Sequence, residues 1–171
     1  MLFLLILALA TAAVWLVDRH GTARDHARRG LALAMVVAGL SHLGQPDPFV
    51  QHLPTWVPAR EALVAITGLV EIAFGAALFR PQAWRRRVGQ LLALYLVAVF
   101  PANVYVALAG VDVDGQPGGP YPWIRLPLQA LFVVWALWST ARVTDTRDTP
   151  GVSRPTHDAP QLVVTHAGGG H

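Results

Sequence analysis

Residues 61–79, EALVAITGLVEIAFGAALF, place one carboxylate, Glu71, in the middle of an otherwise apolar run. Read as a membrane-spanning helix starting at Glu61, the run carries Glu71 roughly 15 Å deep, near the bilayer midplane. An acid at that depth costs about 2.5–3.5 kcal/mol against lipid, so the side chain is expected to face the inside of a helix bundle, protonated or paired. Thr67, Gly68, Gly75 and Ala76 lie one or two turns away. They form a stripe of small residues that lets neighbouring helices approach. Other spans must then supply the partners of Glu71.

The rest of the composition agrees with a membrane setting. Charged residues make up 13% of the chain and hydrophobic residues 54%, whereas soluble domains carry about 25% charge. The net charge of +3 comes with thirteen arginines and no lysine. These arginines cluster at the ends of apolar runs, which points to membrane topology rather than to nucleic acid. Cysteine is absent, so disulfides, thiolate catalysis, thiolate zinc sites and iron–sulfur ligation are excluded for this chain.

Five apolar runs follow one another. Residues 1–17 are continuously apolar; a cleaved signal peptide is the rival reading, but no positive residue precedes the core, so a retained span is expected. Residues 18–29 hold four arginines and read as a cytoplasmic loop before a short second span, 30–43. Residues 44–60 carry Pro46, Pro48, Pro54 and Pro58, a density that predicts a stiff extended loop with Phe49 and Trp56 as interface anchors. After the Glu71 span, residues 80–87 form a second loop with four arginines. The fourth span, 88–109, contains Pro101 and is expected to kink there. The acidic 111–123 loop leads to the fifth span, 124–140, in which Pro127 sits in the first turn and distorts nothing.

Arginines fall on alternate sides, four, four and three against only Arg60 and Arg125. That bias puts the N-terminus outside and the C-terminus in the cytoplasm. The expected fold is all-α: a four-helix transmembrane bundle plus an extra N-terminal transmembrane helix. Its parts are residues 1–17, a membrane domain at 27–140, and a disordered cytoplasmic tail at 141–171.

Polar residues of different spans fall near one level. His42, Asn103, Arg125 and Gln129 join Glu71 as members of one expected pocket in the outer half of the bundle, with Asp47, His52 and Tyr105 at its rim. Trp56, Tyr105 and Trp123 are candidates to line it. Each also has a plainer role. His42 can cap a helix end, Asn103 can satisfy the carbonyls freed by Pro101, Gln129 can bond helices together, and Arg125 can anchor the interface. No helical metal-ligand spacing, phosphate loop, nucleophile elbow or H-E-x-x-H motif occurs, and no metal site is assigned.

The segments GLSHLGQPDPFVQHLPTWVPAREALVAITGLVEIAFGAALF, VFPANVYVALAG and WIRLPLQALFVVWAL, in that order over about residues 27–140, resemble the DoxX-like family of small bacterial membrane proteins. The resemblance implies a four-helix bundle in the inner membrane, with residues 1–17 outside the family's core. It also implies a redox association, because the family is named for the small subunit of a thiosulfate:quinone oxidoreductase. Other relatives act as assembly factors, one a chaperone of nicotinic receptors. Two functions are therefore carried forward. In the first, Glu71 and His42 exchange protons with a quinone-like ligand, and Asn103, Arg125, Gln129, Tyr105, His52 and Trp56 help bind it. In the second, the chain is a non-catalytic subunit or assembly factor whose arginine-rich cytoplasmic loops dock a protein.

Overall fold

The computed structural model describes residues 2–116 and 118–141. Apart from Ala141, the tail expected to be disordered lies outside the described residues. Among the described residues there are six helices and no strand: α1 Leu2–Val17, α2 Ala23–Gly44, α3 Asp47–Val50, α4 Arg60–Ala77, α5 Gln82–Ala109 and α6 Tyr121–Thr140. The five long helices coincide with the five apolar runs.

Helix α2 is the axis of the molecule, with α1, α4 and α6 packed around it and α5 paired with α6. The α2–α4 contact is set by glycines. A Cβ on Gly39 would stand 2.3 Å from the Gly68 carbonyl oxygen, and one on Gly75 would stand 2.8 Å from the Ala32 carbonyl. Gly68 and Gly75 are seven residues apart and so share a helix face, the sequence signature of close backbone approach. Ala76, expected in the same stripe, points outward and is exposed. Its place one residue after Gly75 turns it about 100° from the seam.

Leu31, Met35, Leu92, Leu96, Phe132 and Ala136 fill the space between α2, α5 and α6. The N-terminal helix belongs to this core: Leu7 is 1% exposed, and the Phe3 ring meets Phe132 edge-on at 4.8 Å. Trp135 of α6 donates its indole N–H to the Ala27 carbonyl of α2 at 3.1 Å, fixing the two at that end.

Three expectations about boundaries are corrected. The arginine-rich segments 18–29 and 80–87 are loops only in part, because α2 starts at Ala23 and α5 at Gln82. The Thr22 side chain caps α2 by accepting from the Asp25 N–H at 3.2 Å. The helix start is thus marked by an N-cap threonine hidden among charges. The proline-dense loop contains a helical turn, Asp47–Val50, because prolines in a first turn lack only an N–H that would be unpaired anyway. Pro127 lies inside α6, which begins three residues earlier than the apolar run suggests, with Pro122 taking the first-turn position.

The early start of α2 has a consequence at the bundle end. Arg28, 3% exposed, donates from its guanidinium to the Leu78 carbonyl at the end of α4 and to Asp25. Asp25 also pairs with Arg85 of α5 at 3.4 Å. One carboxylate therefore ties three helix ends together.

By length and composition α5 is the one described helix long and apolar enough to cross a membrane, and α1 offers a shorter apolar stretch, Phe3–Val17. Helices α2, α4 and α6 carry Arg28 and Arg29, Glu71, and Arg125 with Gln129, respectively, which lower their apolarity. Large apolar side chains nevertheless cover the outside of the bundle, among them Ile66, Leu69, Leu94, Leu108 and Val134.

Candidate functional site

Glu71 sits twelve residues into α4 and turns toward α2 and α5. The Tyr95 hydroxyl, from the middle of α5, donates to its Oε1 at 3.0 Å. On the other side, His42 Nδ1 of α2 lies 3.6 Å from Oε2. Oε2 is buried and has no hydrogen-bond partner. The neighbouring Thr67 fixes the imidazole: its hydroxyl donates to the Val64 carbonyl at 2.9 Å, so toward His42 Nδ1 at 3.3 Å it can only accept. Nδ1 therefore carries the ring hydrogen, aimed between Thr67 and the free oxygen of Glu71. The expectation that Glu71 faces the bundle interior holds.

His42 is placed by the same glycine seam that joins the helices. A Cβ on Gly68 would stand 2.7 Å from the His42 Cβ, so only a glycine there lets the imidazole lie beside Thr67 and Glu71. The Phe49 ring of α3 closes this cluster from the outer side, meeting His42 edge-on at 3.9 Å between centroids.

A second polar group lies beyond Phe49. His52, buried, places Nδ1 2.6 Å from the Pro48 carbonyl and Nε2 2.6 Å from Arg125 of α6. The carbonyl only accepts and the guanidinium only donates, so the ring is the neutral tautomer with hydrogen on Nδ1. Arg125 donates also to Gln116 at 2.8 Å and lies 5.8 Å over the Tyr121 ring. Gln51 and Asp114 tie the two outer loops together, with the Gln51 amide donating to the Asp114 carboxylate at 2.6 Å and the Asp114 N–H donating back at 2.8 Å. The sequence reading missed Gln116, whose position in a Gly- and Pro-rich loop gave no signal.

Burial, and then the Arg125 charge, push His52 down to about 4 from an ordinary 6.5. A depressed imidazole is neutral in both folded and unfolded chains above 6.5. Between 6.5 and 4 only the unfolded chain takes the proton, so stability at this site falls with acidification by roughly 1.4 kcal/mol per pH unit. Acidifying from pH 7 to 4.5 is expected to loosen the outer loops first. Hydrogen exchange of the amides around residues 46–53 checks this, and His52→Gln should flatten the pH dependence; identical slopes in both proteins would refute it.

The third group is Asn103 with Gln129. Gln129 donates to the Leu96 carbonyl at 2.8 Å and accepts from Asn103 at 3.4 Å. Asn103 had two readings, as a pocket residue and as a partner for carbonyls freed by Pro101; its partner is Gln129, which itself bonds the Leu96 carbonyl across the α5–α6 seam.

The five residues expected in one pocket, with His52 from its expected rim, thus separate into three pairs: His42 with Glu71, His52 with Arg125, and Asn103 with Gln129. Tyr105 is half-buried on α5 and Asp47 exposed on α3. Trp56 is 81% exposed and so lines no enclosed site. A shallow groove opens where the α5 end leads into α6, lined by Val106, Val111, Asp112, Gln116, Pro122 and Trp123. Among the described residues, no cluster of three or more His, Asp or Glu side chains is arranged to hold a metal ion.

The fold and its polar layer define a small helical-bundle protein with a carboxylate at its centre. The family model for a domain of unknown function (DUF8561) matches residues 31–140, and the chain belongs to that family. The match runs from the third turn of α2 to the last residue of α6, so it takes in all three polar pairs. No curated protein and no solved structure matches the chain.

Proposed function

We propose that this chain is an integral membrane protein of the DoxX-like kind and that Glu71, His42 and Tyr95 form a proton-exchange centre within it. In this reading α1, α2, α4, α5 and α6 all cross the bacterial inner membrane, with the N-terminus outside and the C-terminus in the cytoplasm. The apolar outer faces of the bundle and the arginines gathered at one end support it.

The observation that carries the functional reading is Glu71 Oε2, a buried acceptor with no hydrogen-bond donor, 3.6 Å from the ring N–H of His42. A carboxylate left half-satisfied in this way is poised to take up or pass on a proton. The opposite oxygen, held by Tyr95, fixes the carboxyl plane so that only Oε2 exchanges. We assign this centre to a quinone-linked redox component. The donor set fits such a substrate: a quinone accepts hydrogen bonds and protons through its oxygens, and the His42 N–H beside Oε2 is a donor. Helices α4 and α5 make sparse contact with each other, which supports approach from the side. Electrons would come from a partner, since the chain has no cysteine.

The second reading, a non-catalytic subunit or assembly factor, is favoured by the Asn103–Gln129–Leu96 bonds, which act as glue between α5 and α6. Native mass spectrometry of the detergent-purified protein separates the two. The redox reading expects a co-extracted quinone, lost in Glu71→Gln. A stoichiometric protein partner with no quinone would establish the second reading instead.

A further inference from the structure

We propose that the arginine-rich end of the bundle is a binding surface for anionic phospholipid headgroups. The inference rests on the membrane reading above but concerns a different face of the molecule from the Glu71 centre.

The ends of α1 and α4 and the starts of α2 and α5 meet here, as the Arg28–Leu78 and Arg85–Asp25 contacts require. Eight arginines, at positions 19, 24, 28, 29, 80, 85, 86 and 87, share this end with two carboxylates, Asp18 and Asp25. Both carboxylates are already used: Asp18 holds Arg29, and Asp25 holds Arg28 and Arg85. Among the described residues no carboxylate lies within ion-pair distance of Arg19, Arg24, Arg80, Arg86 or Arg87. Four of these are exposed, and Arg24 is half-buried.

The aromatic neighbours set the depth. Arg24 lies 5.8 Å over the Trp138 ring, and Arg87 lies 5.8 Å over Trp84. Both indoles are exposed, at the end of α6 and the start of α5. Exposed indoles at helix ends sit at headgroup level, and an arginine stacked on each is held at that same level. There it faces lipid phosphates rather than bulk water. The five uncommitted arginines match a leaflet carrying net negative lipid, each contributing about one five-fold step in preference at the surface.

The test uses the full chain in nanodiscs of phosphatidylcholine, with or without phosphatidylglycerol, followed by native mass spectrometry of the retained lipid. Phosphatidylglycerol should be retained in preference, the preference should weaken as salt rises, and R86Q/R87Q should lower it roughly 30-fold. Inorganic phosphate at matched ionic strength should leave it unchanged; displacement by phosphate would make this a site for the free ion and overturn the lipid assignment. Equal retention of both lipids by correctly inserted protein overturns the proposal while the membrane reading stands. Failure to insert in either disc overturns the membrane reading and the proposal together. A protein partner retained without phosphatidylglycerol and released by R86Q/R87Q overturns it in favour of protein docking.

Discussion

Glu71→Gln is expected to leave the bundle intact and abolish its proton chemistry. The substitution keeps shape and keeps an acceptor for the Tyr95 hydroxyl, which lies 3.0 Å from Oε1. It replaces Oε2, the oxygen facing His42 at 3.6 Å, with an amide that cannot lose or gain a proton at working pH. Stability should change by no more than about 1 kcal/mol, the net worth of a typical hydrogen bond. Turnover of a soluble short-chain quinone with the physiological reductant should fall by roughly 10²–10⁴, the usual contribution of a positioned acid–base group. A partner-free readout is available as well: of the carboxyl bands in infrared difference spectra across a pH titration, the wild-type protein should show one that the variant lacks. Tyr95→Phe tests the geometry, since it frees Oε1 without touching His42 and should shift that band without removing it. If Glu71→Gln inserts poorly while each folded molecule keeps its activity, the carboxylate is structural, and the assembly-factor reading replaces the redox one.

The five long helices were legible because each is an apolar run bounded by arginine or proline. Their first turns were not. Arg24, Arg28, Arg85 and Arg86 read as loop because charge marks the end of an apolar run, yet an arginine in the first two turns of a helix can lay its stem along the bundle and carry its charge to a carbonyl, as Arg28 does to Leu78. The turn of helix at Asp47–Val50 was masked by its own prolines.

For the site, depth was readable and azimuth was not. Counting residues placed His42, Glu71, Asn103 and Gln129 at similar levels, but the direction each faces depends on how each helix is rotated, which an almost uniformly apolar helix does not reveal. Asn103 and Gln129 turn into the α5–α6 seam, whereas Glu71 turns toward α2 and α5. Tyr95 escaped notice for a related reason. In LLALYLVAV a tyrosine reads as one more large apolar residue. Its place at the centre of α5 is the signal that mattered, since a hydroxyl at that depth needs a partner on a facing helix. Glycines were more informative than polar residues, because a seam of glycines requires an approaching backbone whatever the rotation.

Gly39→Val should therefore be strongly damaging to the α2–α4 seam. A Cβ at this position would stand 2.3 Å from the Gly68 carbonyl oxygen and 2.7 Å from Ile72 Cγ1. The first of these is backbone and cannot rotate away. Overfilling a packed contact costs typically about 1–3 kcal/mol and more where backbone must move. In a bilayer no hydrophobic gain offsets the lost packing, because lipid is as apolar as the seam. Gly39→Ala should cost less than Gly39→Val, and Gly44→Ala, where a Cβ meets nothing within 4 Å, should be close to neutral. Thermal or SDS unfolding of the purified variants orders them. The same series reports on function, since moving α2 off α4 carries His42 away from Glu71, and the carboxyl band should shift in Gly39→Ala while Gly44→Ala leaves it in place. Wild-type stability in Gly39→Val would mean that α2 and α4 do not meet on this seam. The placement of His42 beside Glu71, and the proton centre built on it, would go with it.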